Sequence, residues 1–317
     1  MVSTPYSLDF SFALGNPPSE SAFKTFPEDF RVTENLSFVP EGCGEHIFVH
    51  VTKRNTNTEW LARQIARVAG IEAKDVGYCG LKDRIAVTSQ WFSLYHPKPL
   101  TTDLMSTFIE GVDINQVTRH RQKLRRGQHS DNHFCITLRN ITYFDDVITR
   151  LNQIKSGVPN YFGPQRFGID AGNLELAEKI LVGRQKIKNR QSKYMAISAA
   201  RSYLFNQILS KRVALGNWQK TLSGDPEQVP SGALWGRGKP LGAGETGNIE
   251  ADVLGAYASW TEGIEHVGLQ QERRPLISKP IDLSFEGDAE QLTISFSLLP
   301  GQFATTVLRE VTDFSEN

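Results

Sequence analysis

The sequence has few cysteines, no long apolar run and no excess of either sign of charge. Its three cysteines, Cys43, Cys79 and Cys135, are odd in number and widely spaced, which fits neither a disulfide framework nor a zinc site. No apolar stretch approaches the roughly 18 residues that a membrane helix needs, so a helical membrane-spanning protein is excluded. The first ten residues, MVSTPYSLDF, lack a basic segment followed by an apolar one. We therefore expect a cytoplasmic rather than a secreted protein.

The composition is that of a folded chain with a substantial core. Hydrophobic residues make up 39% and aromatic residues 10% of the 317 positions. The 22% of charged residues contain no long block of one sign, which argues against intrinsic disorder. At about 150 residues per domain, the length predicts two domains.

The 35 basic and 35 acidic residues cancel, but they are unevenly spread. The segment RHRQKLRRGQH (119–129) carries five Lys or Arg, two His and no acid, and RQKIKNRQSK (184–193) carries five more basic residues and again no acid. Two such segments favour a polyanion as the partner, nucleic acid above others, bound along one face. The alternative is two solvated surface segments whose charges are neutralised by their neighbours.

Strands and turns are predicted for the first 55 residues, followed by a helix. The segment HIFVHVTK (46–53) alternates Ile47, Val49 and Val51 on one face, as a half-buried strand does. Polar residues 55–58 can cap a helix that Gly70 ends. Further strands are expected at 86–95 and 133–140, and a further helix at 145–156.

Helices dominate the middle of the sequence. Amphipathic helices are predicted at 173–183 and 198–216, followed at 221–247 by a Gly-, Pro- and Ser-rich loop or irregular subdomain. A strand at 292–299 and a last helix at 303–314 complete the chain. This order predicts a split domain that contains the strands, residues 1–157 and 275–317, and an inserted domain, residues 158–274.

The segment GYCGLKDRIAVTSQ (77–90) is the densest candidate for chemistry. Gly77 and Gly80 permit tight turns and close approach of another backbone. Asp83 stands between Lys82 and Arg84, and opposite charges stabilise the carboxylate by lowering its pKa. Such an aspartate suits a nucleophile or a charge stabiliser better than a proton donor. A salt bridge within a loop is the alternative.

This segment resembles the signature segment of the TruD family of tRNA pseudouridine synthases. The resemblance extends over nearly the whole chain, because five further blocks match the family in the same order: PEDFRVTE (27–34), GEHIFVHVTKRNTNT (44–58), NYFGPQRFG (160–168), SAARSYLFNQ (198–207) and LPGQFATTVLRE (299–310). It implies an α/β fold of the α+β type, in which a catalytic domain with a mostly antiparallel mixed sheet carries an inserted smaller α/β domain.

The resemblance also implies a reaction. Family members convert uridine 13 in the D-arm of tRNA to pseudouridine without a metal, nucleotide or redox cofactor. They break the N1–C1′ bond, turn the uracil and rejoin it through C5. Asp83 is the implied catalytic residue, either as a nucleophile at C1′ or as the group that takes a proton from C2′. The expected partner is tRNA, with no membrane or metal, and the chain is expected to act as a monomer.

Residues near the target uridine follow from the same blocks. Lys24 and Phe30 match a basic and an aromatic residue of the family's active site. Lys82 is expected to pair with Asp83 or with the target phosphate. Ordinary core packing is the alternative for Phe30.

Three further positions complete the implied site. Asn132 and Phe134 match residues of the target-base pocket, where an amide can bind an edge of uracil and an aromatic ring can stack on it. Arg166 is expected to face the cleft between the domains, flanked by the two basic segments. The alternatives are a strand-end cap for Asn132, core packing for Phe134, and an aromatic cluster at the domain junction for the block that contains Arg166.

One stretch departs from the family pattern. Many relatives carry several dozen more residues between the pair matched by Gly224-Asp225 and the turn near Trp235-Gly236, and some tRNA contacts depend on that part of the inserted domain. Two other functions also remain open: a non-catalytic RNA-binding protein or RNA chaperone on the same scaffold, and a glycosidase that releases the base to water.

Overall fold

The computed structural model describes residues 6–100 and 102–316. Residues 1–5, which begin the segment that argues against secretion, lie outside this part. The chain forms two compact units. The sheet unit comprises Pro18–Ile148, Pro280–Gly301 and Thr312–Asn317, and the helical unit comprises Met1–Pro17, Thr149–Lys279 and Gln302–Val311. The assignment of a catalytic domain to 1–157 and 275–317, and of an inserted domain to 158–274, stays a prediction.

The described residues form fourteen strands and seven α-helices. The strands are β1 (Glu20–Phe23), β2 (Phe30–Leu36), β3 (His46–Arg54), β4 (Val76–Tyr78), β5 (Val87–Tyr95), β6 (Val112–His120), β7 (His129–Arg139), β8 (Val158–Pro159), β9 (Ser231–Leu234), β10 (Glu272–Pro275), β11 (Ile277–Ser278), β12 (Ile281–Gly287), β13 (Gln291–Leu298) and β14 (Asp313–Glu316). The helices are α1 (Thr58–Ala69), α2 (Phe144–Gln153), α3 (Gly172–Leu181), α4 (Arg190–Ala214), α5 (Gly244–Gly255), α6 (Ala258–His266) and α7 (Ala304–Leu308).

Ten of the strands form one sheet, all within the sheet unit. Its main order is β12-β13-β7-β2-β5-β3-β6, with β4 beside β5 and with β1 between β7 and β14. Only the pairs β2–β5 and β1–β14 are parallel, and the other pairs of this sheet among the described residues are antiparallel. The predicted fold class, α/β with a mostly antiparallel mixed sheet, is confirmed.

One face of this sheet is covered by α1. Its N-cap is Asn57, whose Oδ1 accepts hydrogen bonds from the backbone N–H groups of Glu59 and Trp60 at 2.9 and 3.1 Å. The helix ends at Gly70 in the left-handed conformation, with φ 68°, as its sequence predicts. Leu61 and Ile65 of this helix pack in one apolar cluster with the alternating residues of β3 and β5.

A row of side chains crosses the sheet on the face that α1 covers. The register pairs Lys53 with Thr88, Thr88 with Val32, Val32 with Phe134, and Phe134 with Phe296. Side chains directly opposite each other point to the same face. The predicted site residues Phe30, Asn132 and Phe134 therefore share this face with Lys53, although they come from separate parts of the sequence.

The loop between β4 and β5, residues 79–86, is called the Asp83 loop. A buried ion pair fixes it to β2, because the Lys82 Nζ lies 2.5 Å from Glu34 Oε2 and the two side chains are 7% and 0% exposed. Glu34 Oε1 also accepts a hydrogen bond from the backbone N–H of Trp91 at 3.3 Å. Removing one partner of such a pair leaves an uncompensated buried charge.

The helical unit is built around α4, which packs against α3, α5 and α6. Its core includes Leu174, Phe205, Ile208, Trp260 and Ile264. The short strands β9 and β10 pair antiparallel, as do β8 and β11. No helix among the described residues has both the length and the apolar character needed to cross a membrane.

Several of the predicted element bounds are wrong, and the strand expected at 133–140 begins at His129. The helix expected at 198–216 begins at Arg190, because Asn189 caps it with a side-chain oxygen that accepts from Gln191 N and Ser192 N. The region 221–247 contains the strand β9 and the start of α5. The helix expected at 303–314 ends at Leu308, since the chain then turns into β14 and pairs with β1.

The buried pair yields a stability prediction. Glu34→Gln should lower the free energy of unfolding by about 3–5 kcal/mol, because the Lys82 ammonium stays buried without its counter-charge. Adding Lys82→Met should restore much of this loss. Urea unfolding of the two variants measures both effects. The control is Glu72→Gln, which breaks an exposed pair with Lys74 and should cost less than about 1 kcal/mol. Equal costs for Glu34→Gln and Glu72→Gln would contradict the account.

Candidate active site

Asp83 is a partly exposed carboxylate held by a buried cation. Its Oδ2 lies 3.3 Å from the Nζ of Lys24, and the two side chains are 41% and 6% exposed. Lys24 follows β1 with φ 56°, and its ammonium lies 4.6 Å from the ring centroid of Phe30. The sequence suggested Lys82 and Arg84 as the cations beside Asp83. The contact instead comes from Lys24, and Lys82 is engaged with Glu34.

The backbone of the Asp83 loop is held by three buried side chains. The Thr58 hydroxyl accepts from Lys82 N at 3.1 Å and lies 3.0 Å from Gln90 Oε1. Gln90 Nε2 donates to Gly80 O at 3.4 Å, and Lys53 Nζ donates to Asp83 O at 3.1 Å. Thr58, Gln90 and Lys53 are each 0% exposed. These contacts give a segment without secondary structure a defined conformation.

Two titratable side chains behind the loop have shifted pKa values. Burial lowers the pKa of Lys53 to about 8, although the charge of Asp83 partly opposes the change. Burial also lowers the pKa of His129, and the charge of Lys82 acts in the same direction. Both shifts follow from the cost of holding a charge away from water.

Aromatic rings and one amide line the same face. The ring centroids of Phe30 and Phe134 are 6.0 Å apart, and those of Phe134 and Phe296 are 5.6 Å apart. Phe30 is 4% and Phe134 8% exposed. Among the described residues, no hydrogen-bond partner reaches the buried Oδ1 of Asn132. A buried acceptor without a partner is uncommon and can serve a ligand.

Glu34, Cys79 and His129 form the one group of three possible metal ligands found among the described residues, with ligand atoms within 4.8 Å of one another. Their chemistry fits a metal poorly. Burial raises the pKa of the Cys79 thiol to about 12, whereas a metal binds the thiolate. The Lys82 ammonium also already contacts Glu34.

His46 and His50 are four residues apart, but in β3 that spacing separates them by about 13 Å.

The segment 242–247 has the spacing G-x-G-x-x-G at the start of α5. A dinucleotide site needs this pattern between a strand and a helix of a parallel βαβ unit. Here the preceding strand, β9, pairs antiparallel with β10. Thr246 N donates to Ser223 O, and its hydroxyl donates to the buried carboxylate of Asp225. The start of α5 is therefore occupied by the Asp225 carboxylate and the Ser223 carbonyl, and it does not form a phosphate-binding site.

The two glycines of the signature segment differ. A Cβ at Gly77 would lie 2.6 Å from the Ser93 Oγ and still closer to the Leu124 carbonyl, so the expected close approach is confirmed there. At Gly80 a Cβ would meet only the Lys82 Nζ, at 3.9 Å. The chain therefore requires glycine for close packing at Gly77.

Arg166 lies in the helical unit. Its guanidinium carbon is 5.3 Å from the ring centroid of Phe162, and Nη1 lies 3.4 Å from Ser198 Oγ. Burial lowers its pKa. The other six predicted site residues all lie in the sheet unit. There Asp83 contacts Lys24, Lys24 lies over the ring of Phe30, and Phe30 packs against Phe134.

The two basic segments differ in how their cations are used. In residues 119–129, Arg119 donates to the carbonyls of Gly44 and His96, and Lys123 donates to the carbonyl of Lys74. In residues 184–193, all five Lys and Arg side chains are exposed. The second segment is therefore the more accessible cationic surface.

Sequence reasoning missed Lys53, Glu34, Thr58 and Gln90. One signal for Lys53 was present: it follows Ile47, Val49 and Val51 at the same two-residue spacing, on a face that is otherwise apolar. Glu34 and Lys82, which pair with each other, are 48 residues apart in the sequence, so no local pattern predicts their contact.

Comparison with known proteins identifies the family of this chain. The family model for tRNA pseudouridine synthase D (TruD) matches residues 10–188 and 226–311. The tRNA pseudouridine synthase D of Cellvibrio japonicus is 45% identical over 322 residues, covering 98% of this chain and 94% of the relative. That of Hydrogenovibrio crunogenus is 40% identical over 336 residues, covering 97% of each.

A solved structure extends the comparison to the fold. The Methanosarcina mazei protein described as tRNA pseudouridine synthase D superposes with a TM-score of 0.68 at 20% identity, covering 98% of this chain and 96% of the other. The Cellvibrio japonicus alignment, at 322 positions, is only slightly longer than the 317 residues of this chain. Against that relative, no deletion of several dozen residues is present near Gly224. The chain belongs to the tRNA pseudouridine synthase D (TruD) family.

Proposed function

We propose that this protein converts uridine 13 in the D-arm of tRNA to pseudouridine, with Asp83 as the catalytic residue. Family membership supports the reaction class. The observation that carries the assignment of the residue is the Asp83 carboxylate, 41% exposed and 3.3 Å from the buried Lys24 ammonium. A substrate can reach this carboxylate, while the contact with the buried ammonium holds it in place.

Two routes satisfy the chemistry. In the first, an Asp83 oxygen bonds to C1′ as the N1–C1′ bond breaks and its electron pair leaves with uracil. C5 of the turned uracil then attacks C1′, the carboxylate departs, C5 loses its proton and N1 gains one. In the second, Asp83 takes a proton from C2′ as uracil leaves, forming a C1′–C2′ double bond, and returns it to C2′ as C5 attacks C1′. C5 then loses its proton and N1 gains one, as in the first route. Both are isomerisations without net oxidation, so the proposed reaction requires no cofactor.

The base pocket follows from the same sheet face. Asn132 Oδ1 offers a hydrogen-bond acceptor to an N–H group of uracil, and its neighbour on that face, Phe134, offers the edge of a ring packed between Phe30 and Phe296. Taking a uridine out of a folded arm costs a few kcal/mol of stacking and pairing. Contacts at Asn132 and Phe134 return part of that cost.

Affinity for tRNA is proposed to come mainly from cations that bind phosphates. The exposed basic residues of the segment 184–193 supply such contacts. Near the Asp83 loop, a cavity of about 590 Å³ is lined by Arg54, Trp60 and Arg84 among others. It joins cations to an exposed aromatic ring, the combination that binds single-stranded RNA.

Asp83→Asn should abolish pseudouridine formation and leave tRNA affinity within about twofold, because phosphate contacts dominate binding. Product analysis of labelled tRNA after a single turnover measures the reaction, and filter binding measures affinity. Substantial turnover by the folded variant would refute the role of Asp83. Free uracil from the wild type would indicate a glycosidase, and unchanged uridine would indicate an RNA-binding protein.

Phe134→Leu should lower the single-turnover rate by about 2- to 10-fold, since an edge-to-face contact between aromatic rings contributes roughly 0.5–1.5 kcal/mol. The matched control is Phe296→Leu, in the ring that packs on Phe134 and is 0% exposed. Both variants should lose similar thermal stability, but only Phe134→Leu should slow the reaction. Equal rates at a temperature where both are folded would assign Phe134 to the core alone.

Replacing Arg184, Lys186 and Lys188 with Gln should weaken tRNA binding and reduce its salt dependence. Each lost phosphate contact should lower the slope of log affinity against log salt by about 0.7–0.9. Lys155, Lys220 and Lys279, also exposed, provide a control triple with the same change in charge. If both triples alter the slope equally, the segment 184–193 is not a specific RNA contact.

A further inference from the structure

Lys53 is a cation at a position of β3 where the alternation predicts an apolar core residue. Ile47, Val49 and Val51 alternate along β3 and pack in the apolar cluster beneath α1. Lys53 takes the next position on that face and is 0% exposed. Lysine is almost never fully buried unless it is paired. Its partners therefore indicate why a charge stands there.

Among the described residues, the Lys53 ammonium donates two hydrogen bonds, both to backbone carbonyls near the candidate site. Nζ donates to Thr56 O at 2.6 Å and to Asp83 O at 3.1 Å. Thr56 lies in the turn between β3 and α1, and its hydroxyl donates to Arg54 O at 2.7 Å. The ammonium thus connects the turn after β3 to the backbone of Asp83 itself.

Two lysines act on Asp83 from different parts of the sheet unit. Lys24 contacts the carboxylate, and Lys53 contacts the main-chain carbonyl of the same residue. A fixed carbonyl restricts the backbone rotation that would otherwise swing the carboxylate. Displacements of about 1 Å at a reacting group can cost about 100-fold in rate.

We propose that Lys53 is a positioning residue for the reaction: its buried ammonium fixes the backbone of Asp83 and so sets where the carboxylate stands against C1′ or C2′ of the uridine. This inference rests on the proposed function of Asp83. It assigns to Lys53 no contact with the substrate.

The surroundings of Lys53 give the positioning a pH dependence. Burial lowers the pKa of Lys53 to about 8, with the charge of Asp83 opposing the shift and the charge of Lys82 adding to it. Across the sheet, Lys53 faces the uncharged Thr88 and Val112. Lys24 contacts the same carboxylate. Asp113 is paired with Thr52, on the opposite face. Below about pH 8 the ammonium is charged, and above it the group becomes an amine with a weaker hold on the Asp83 carbonyl.

Single-turnover pseudouridine formation by the full chain tests the proposal between pH 6 and 9.5. The wild-type rate should fall above about pH 8. Lys53→Met keeps the reach of the side chain but removes the donor. It should be about 10- to 100-fold slower at pH 7, show no fall centred near pH 8, and bind tRNA within about twofold of wild type. The control Lys74→Met, at a side chain that is 73% exposed, should match the wild type in rate and in pH profile.

The results that would overturn the role of Lys53 differ from those that would overturn the proposed function. A folded Lys53→Met with the wild-type rate, or with an unchanged fall near pH 8, overturns the role of Lys53 while pseudouridine still forms. Absence of pseudouridine with the wild type overturns the proposed function instead. If Lys53→Met does not fold, titration of the Lys53 side-chain NMR signal in wild type and in Asp83→Asn decides. Its pKa should be lower in Asp83→Asn, because the carboxylate that raises it is gone, and an unchanged pKa overturns the coupling.

Discussion

Buried charges need partners, and in the sheet unit this requirement fixes the Asp83 loop. Lys24, Lys53 and Lys82 are each at least nine-tenths buried, and each makes a contact that has one end at this loop. Lys24 meets the Asp83 carboxylate, Lys53 meets the Asp83 carbonyl, and Lys82, itself in the loop, meets Glu34. Displacement of the loop would break these contacts and separate the buried Glu34–Lys82 pair, and the cost of an unpaired buried charge exceeds that of an ordinary loop contact.

In the same arrangement the side chains that hold the Asp83 loop are buried, whereas the Asp83 carboxylate is open to solvent. The cations are buried, but the side chain they serve is 41% exposed, so a substrate can reach the carboxylate without disturbing its supports. Phe30 and Phe134 pack on the same sheet face, with the fully buried Phe296 behind Phe134. Among the described residues no hydrogen-bond partner reaches Asn132 Oδ1, which under the proposed function accepts from uracil. Preorganised groups of this kind accelerate reactions because the cost of arranging them is met during folding.

Sequence alone predicted the parts of this account that local patterns encode. Alternation located β3, and cap residues with a closing glycine located α1. Ordered blocks of resemblance located the Asp83 loop and the family. The start of α4 was missed because its first turn, residues 190–193, is entirely polar. The last helix was predicted too long, since a favourable helical pattern gave way to pairing between β14 and β1. The site contacts were hidden for a further reason: Lys24 and Asp83 are 59 residues apart and meet only through the sheet register.

The most direct measurement of the central claim maps pseudouridine at single-nucleotide resolution in an unmodified tRNA transcript, beside a transcript in which uridine 13 is replaced by cytidine. If the Asp83 face of the sheet unit acts on an extruded D-arm uridine, pseudouridine will appear at position 13 of the first transcript and at no position of the second. Pseudouridine at other positions of both transcripts, with position 13 unchanged, would contradict the account.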